Sequence, residues 1–172
     1  MTETISYEVT GKAGEIEYRK YPALVLATVD SAGDDSGFNL LFAYITGKNS
    51  AKNTIPMTAP VITSAKIPMT APVVSDGTTM SFVMPAGKTL DEIPEPLDMK
   101  VRIVPVPERE VAVITFKGKT HEKDVREEEA WLRKGLKDAG IEAAGEVFLM
   151  RYNPPWMPGF LRHNEVGVEI KR

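Results

Sequence analysis

The sequence predicts an α+β fold in which two ββαββ units join their sheets into one curved or barrel-like sheet flanked by two helices. Three observations lead there. Short segments rich in β-branched and aromatic residues recur along the chain. Only two stretches carry helical spacing. The order strand, strand, helix, strand, strand occurs twice, joined near residues 85 to 100. Sheets built this way bury one face under their helices. An α+β sandwich without internal symmetry is the alternative.

The elements follow in order. Residues 15–19 alternate polar and apolar, and residues 23–29 (ALVLATV) are an apolar β-branched run. Residues 30–37 carry loop chemistry and end in good helix N-caps. Residues 38–46 (FNLLFAYIT) read as a short helix stopped by Gly47, with Leu41, Tyr44 and Ile45 at helical spacing. Two strands follow across residues 55–74, then another over 80–85. Residues 90–99, rich in proline and acid, cross to the second series. That series has strands at 101–104 and 110–117, and a helix over 122–139 closed by Gly140. It finishes with strands at 147–152 and 165–170, separated by the loop 153–164.

A chain of 172 residues with 42% hydrophobic content is most simply one domain with its own core. We expect a single domain over 1–172 with pseudo-repeats at about 15–85 and 100–171. The formal net charge of −3 and the lack of any Lys/Arg cluster predict no nucleic-acid partner. Cysteine is absent, which excludes disulfides, thiolate nucleophiles and CxxC metal sites. The first residues carry no basic and then apolar leader, and no apolar run reaches membrane-spanning length. A cytoplasmic location, as a monomer or weak homo-oligomer, is the expectation.

The seven residues Ile55-Pro56-Met57-Thr58-Ala59-Pro60-Val61 return unchanged as Ile67-Pro68-Met69-Thr70-Ala71-Pro72-Val73. As a strand, each copy puts Ile, Met, Ala and Val on one face. The two prolines remove donors from one side of the strand, so each copy belongs at an edge or beside a bulge. An antiparallel hairpin about Thr63-Ser64-Ala65 would pair the copies and keep all the apolar side chains on one face.

These segments, in this order, carry a resemblance. Gly47 to Thr54 (GKNSAKNT) with the first IPMTAPV resembles the "K-I-x-M-T-x-P-V" segment of the SOUL haem-binding family. Residues 145–156 (GEVFLMRYNPPW), followed by Arg162-His163-Asn164-Glu165-Val166, are similar to its closing "Y-[DN]-x-P … R-x-N-E-V" signature. Glu17-Tyr18-Arg19-Lys20-Tyr21 matches the opening "Y-E-x-R-x-Y" loosely. Met80 to Pro94, with FVMP and Leu-x-x-x-Pro, is similar to the bacterial and archaeal branch, which often carries two MTAPV segments. The resemblance runs from about Tyr7 to the C-terminus. It implies a distorted β-barrel of two pseudo-symmetric halves flanked by two helices, and non-covalent binding of haem or another porphyrin in an apolar surface groove.

The same resemblance directs attention to particular residues. Lys20 stands where some animal members carry the histidine thought to ligate iron, which points to binding without strong axial ligation. His121, ahead of the long helix, reads as a solvated or capping-region residue, and Met57 and Met69 as packing; each is also a conceivable iron ligand. Trp156, Met157 and Phe160 can form one apolar wall, with Arg162 for a propionate and His163 beside it. Phe38, Leu41, Phe42 and Ile45 are candidates for the opposite wall, or equally for the core. Together these are the expected cofactor-binding residues of a tetrapyrrole carrier, buffer or sensor, with no catalytic residues and no metal site of the protein's own.

Other classes remain in view. No GxSxG, HExxH, Walker A or GxGxxG stretch is present, so no enzyme is indicated. The SOUL fold is similar to the effector-binding domains of GyrI-like proteins, in which an acidic residue receives a cationic ligand; Glu165 or Glu17 are the candidates here. Glu165 has the opposite parity to Val166, Val168 and Ile170, and a buried ion pair with Arg19 or Arg151 is the plainer expectation. An interaction module using the Pro-Trp-Met-Pro-Gly-Phe loop is a third reading.

Overall fold

The computed structural model of the protein describes residues 3–31, 35–64, 78–153 and 157–172. Its elements are β1 (Glu3–Thr4), β2 (Glu8–Ala13), β3 (Ile16–Tyr21), β4 (Leu24–Ser31), α1 (Asp35–Ile45), β5 (Thr58–Ser64), β6 (Thr78–Val83) and β7 (Val101–Val106). Then come β8 (Arg109–Lys117), α2 (Glu122–Ala139), β9 (Glu142–Ala143), β10 (Phe148–Arg151) and β11 (His163–Lys171). Short 3-10 turns cover Leu90–Glu92 and Gly159–Leu161. Among the described residues, no helix is long and apolar enough to cross a membrane.

The chain forms two compact units, and neither is a continuous piece of sequence. One contains Met1–Ile5 and Ala23–Pro107; the other contains Ser6–Pro22 and Glu108–Arg172. In the first, the strands run in the order β1-β5-β6-β4-β7, antiparallel except for the parallel pair β1–β5. Strand β4 lies between β6 and β7, and its apolar run is buried from Leu26 to Val29. Ala27 and Val29 of β4 pack with Leu41, Tyr44 and Ile45 of α1 and with Met80 and Phe82 of β6. After α1, the buried Asn49 folds the GKNSAKNT segment. Its amide donates to the carbonyls of Tyr44 (2.9 Å) and Asn53 (2.8 Å), while its Oδ1 accepts from the N–H groups of Ala51 and Asn53.

In the second unit the order is β2-β3-β8-β11-β10, all antiparallel, with β9 beside the far end of β11. Helix α2 covers one face. Its Leu132 and Leu136 meet Ile16 and Tyr18 of β3, Ala112 and Ile114 of β8, and Val166, Val168 and Ile170 of β11. Gly140 ends the helix in the left-handed region (φ 71°), and its N–H bonds back to the carbonyls of Leu136 and Lys137.

The long helix has the bounds its spacing predicts, and the structure is α+β. The barrel is not found. Among the described residues, the end strands of neither unit pair with each other, so the strands are not closed into a barrel. In each unit the helix covers an apolar face of the strands, so that face is buried without the strands closing on themselves. The ββαββ halves do not appear as contiguous blocks either. Strand β3 pairs with β8, and β7 pairs with β4, so each unit takes a strand from the far part of the chain.

The repeat behaves differently from its simple alternation. The first copy enters the sheet only from Thr58, and its register with β6 shifts between Thr58 and Val61. Pro60 lies in that shift, as its missing N–H requires, so the bulge expected of a proline strand is present. The shift breaks the expected face: Ile55, Ala59, Pro60 and Ile62 are all buried. The second copy, and with it the hairpin, lies outside the described residues.

Candidate functional site

The face of the second sheet opposite α2 should be apolar if it were only core, and it is not. Strand alternation places Glu17, Arg19 and Tyr21 of β3 there, since Ile16 and Tyr18 face the helix. The same parity brings Arg109, Val111, Val113 and Thr115 of β8, His163, Glu165 and Glu169 of β11, and Phe148 and Met150 of β10.

At its centre is a buried ion pair. The side chain of Arg19 is 4% exposed and that of Glu165 2%. Arg19 Nη1 donates to Glu165 Oε1 at 2.8 Å and Nη2 to Oε2 at 2.6 Å, a bidentate fork. Nη1 also donates to the Tyr21 hydroxyl (2.8 Å) and Nε to Glu17 Oε1 (2.6 Å). Glu165 accepts further from the Tyr152 hydroxyl and, at 3.3 Å, from Thr115 Oγ1. His163 Nε2 lies 3.3 Å from Glu165 Oε2, and its ring meets Tyr152 edge-on at 4.9 Å between centres. Above the pair, the Tyr7 ring sits 4.0 Å from the Arg19 guanidinium carbon and 5.3 Å from Tyr21.

The electrostatics follow from this geometry. Burial would raise the Glu165 carboxyl, but hydrogen bonds from Arg19 and Tyr152 prevail and hold it below the ordinary carboxylate range. Burial would lower Arg19, and the bond to Glu165 more than compensates, so it stays charged throughout. Burial pushes the Tyr21 hydroxyl up to about 12. Burial, with Glu165 adding to it, raises Tyr152 as well. At the start of β8, Arg109 is buried over the Phe148 ring (4.9 Å). Its Nη1 is 3.8 Å from Glu169, and its Nε and Nη1 make no hydrogen bond. Desolvation accordingly lowers its pKa.

The residues expected from sequence fall in different places. On α1, in the first unit, Leu41 and Ile45 are fully core and Phe38 is partly buried against that core. Phe42 alone of that set is well exposed, at 49%, with the Phe38 ring stacked against it at 6.0 Å. In the second unit, Phe160 is 76% exposed and Met157 half-buried. Arg162 is half-buried, and its Nε donates to the Met157 carbonyl at 2.8 Å. Asn153 Oδ1 accepts from the His163 backbone N–H at 2.6 Å, which ties the loop to the start of β11. Trp156 lies outside the described residues, as does Met69.

The remaining candidates are plain. Lys20 is exposed and pairs with Glu108 at 3.2 Å. His121 is exposed at the N-cap of α2, without a side-chain capping bond. Met57 packs against the first unit's core. Among the described residues, no group of His, Asp and Glu side chains is arranged to hold a metal ion. The ion pair expected of Glu165 has Arg19 as its partner. Sequence reading missed the aromatic surround of Tyr7, Tyr21 and Tyr152. For Tyr21 a signal existed, because Glu17, Arg19 and Tyr21 share a parity on β3; for Tyr7, ahead of β2, there was none.

Comparison with known proteins adds the following. A family model described as SOUL heme-binding protein matches residues 2–169. Heme-binding protein 2 of Homo sapiens is 34% identical over 163 residues, covering 90% of this chain and 78% of the human protein. Among solved structures, the EcmrR C-terminal domain has a TM-score of 0.61 at 11% identity, covering 96% of this chain and 98% of that one. A hydrolase from Listeria innocua has a TM-score of 0.61 at 10% identity, with 94% of each chain covered. SAV2435, solved bound to tetraphenylphosphonium, has a TM-score of 0.51 at 10% identity, covering 97% of this chain and 94% of that one. At such identities these structures share the fold alone.

Proposed function

This chain belongs to the SOUL haem-binding family, and from that premise we propose that it binds haem or a related porphyrin as a carrier, buffer or sensor, without a catalytic step. The observation that carries this reading is the edge of the second unit before β11. There, exposed Phe160 and half-buried Met157 lie in one short loop with Arg162 and His163. An apolar surface beside a guanidinium and an imidazole fits the chemistry of a flat apolar macrocycle with carboxylate arms. Phe160 and Met157 would contact the ring and Arg162 a propionate. His163 already has Nε2 beside Glu165, which favours a positioning contact over ligation of iron. A binding role, rather than a catalytic one, is also supported by Glu165, whose oxygens are engaged by Arg19 and Tyr152 and so make a poor general base.

The test is a titration with hemin and, in parallel, metal-free protoporphyrin, read by absorbance and fluorescence. Comparable saturable binding of both is expected, because the macrocycle and its carboxylates carry the recognition. Phe160→Ala should weaken binding of both roughly tenfold, the order expected when one large apolar contact is lost. A Soret shift with hemin alone that disappears in His163→Ala would make the imidazole an iron ligand. No saturable binding of either compound would refute the proposal.

A second reading, an effector-binding module for organic cations, is favoured by one observation: a buried carboxylate, Glu165, inside a ring of tyrosines. Saturable binding of tetraphenylphosphonium to the unmodified protein would favour it over the first.

A further inference from the structure

Where β8 ends and β11 begins, the second unit carries an apolar tip beside positive charge. Phe160 is exposed and Leu161 is 55% exposed, side by side on the 3-10 turn Gly159–Leu161. The turn closes its own backbone. Leu161 N–H donates to the Pro158 carbonyl at 3.0 Å, and Arg162 N–H to the Gly159 carbonyl at 3.1 Å. Two adjacent apolar side chains thus meet solvent on a turn with these two backbone donors already engaged.

The neighbouring segment supplies the charge. Gly118 N–H donates to the Arg162 carbonyl at 3.2 Å, and Asn164 Nδ2 to the Gly118 carbonyl at 2.8 Å, which fastens residues 117–119 beside the turn. Lys117 lies opposite His163 in the β8–β11 ladder. The Lys119 stem runs so close to Gly159 that a Cβ added there would fall 2.9 Å from Lys119 Cγ. Both lysines are exposed. Residues 115–121 and 157–163 contain Lys117, Lys119 and Arg162 but neither Asp nor Glu, in a chain whose net charge is −3. The next acid on β11, Glu165, is buried and engaged by Arg19, so it does not offset this charge at the surface.

Two apolar side chains are a small patch for a stable protein interface, which buries about 800 Å² on each partner. A bilayer surface asks for less. An aromatic and an aliphatic side chain can enter the headgroup boundary while lysines meet anionic lipid, giving weak and reversible attachment. Engaged backbone donors reduce the cost of carrying N–H groups into that boundary.

We propose that Phe160 and Leu161, with Lys117, Lys119 and Arg162 beside them, form a peripheral attachment site for an anionic lipid bilayer. The site shares Phe160 and Arg162 with the porphyrin reading but does not rest on it, since attachment is measured without porphyrin and either can fail alone.

The full chain, free of porphyrin, is co-sedimented with vesicles of phosphatidylcholine alone and of phosphatidylcholine mixed with phosphatidylserine. Binding to the mixed vesicles is expected, weakened by added salt and roughly tenfold weaker or worse for phosphatidylcholine alone. Lys119→Gln, which keeps the stem over Gly159, should weaken it roughly fivefold. Phe160→Ser/Leu161→Ser should abolish it. Trp131→Ser, which removes an exposed apolar side chain from α2, should leave it unchanged. Circular dichroism checks that each variant is folded, and Phe160→Ser alone replaces the double variant if that one is not. Equal binding to both kinds of vesicle, binding that survives loss of the apolar tip, or no binding to either overturns the proposal. Self-association that the tip variant loses, without vesicle binding, would make the tip a protein contact and overturn the lipid assignment.

Discussion

Glu165 is a carboxylate that the fold has withdrawn from water and then surrounded with donors. Removing one member of a buried pair leaves the other charge uncompensated, which costs about 3–5 kcal/mol. Glu165→Gln should therefore destabilise the protein by that order in urea unfolding at neutral pH. The pH dependence has a definite sign. The folded carboxyl is held below its ordinary value, so its contribution is present above the unfolded pKa of about 4.3 and is lost as pH falls through the lower, folded one. The acid limb of the stability curve should be flatter in Glu165→Gln than in the unmodified protein. An identical acid limb would show that the pair carries no linkage. At this scale the chain was partly legible: parity alone put Glu165 against an arginine, but choosing Arg19 over Arg151 required knowing which strands pair.

Helix α2 shows what spacing determines and where close packing takes over. Leu132 is fully buried, and truncating it to alanine should cost about 2–5 kcal/mol in denaturant unfolding. Gly135 is more telling. A Cβ added there would lie 2.1 Å from Ile16 Cδ1, so the helix packs on β3 closely enough that this terminal methyl would have to move. Gly135→Ala should destabilise the protein despite alanine's helix propensity, worth about 1 kcal/mol over glycine. In an Ile16→Val background, which lacks the clashing methyl, the same change should become neutral or stabilising. A penalty of equal size in both backgrounds would place the strain elsewhere. In the same way, Trp131, an apolar member of the helix in sequence, proves 62% exposed while Leu132 next to it is buried. Composition cannot separate two adjacent apolar residues; the direction of the helix face can.

Over the whole molecule, chain connectivity and compactness part company. Residues 6–22 belong with 108–172, because β3 pairs with β8 from Ile16 opposite Ile114 to Tyr21 opposite Arg109. A fragment of residues 100–172 should therefore lack native circular dichroism, since its core under α2 misses Ile16 and Tyr18. Supplying residues 6–22 as a separate peptide should restore it. A folded fragment without the peptide would contradict the division into units.

The sequence by itself determined the two helices and the principal strands around them, though not β1, β2 or β9, together with the bounds of α2, the bulge at Pro60, the parity of Glu165 and the family resemblance, because each is a local pattern within a few turns or a short motif. Only the tertiary structure decided that Leu41 and Ile45 are core while Phe42 and Phe160 are exposed, that the strands do not close into a barrel, and that Tyr7, Tyr21 and Tyr152 enclose one ion pair. Those outcomes depend on contacts between distant segments, such as residues 19 and 165. Periodicity, which reads only the near neighbourhood of each residue, cannot specify them.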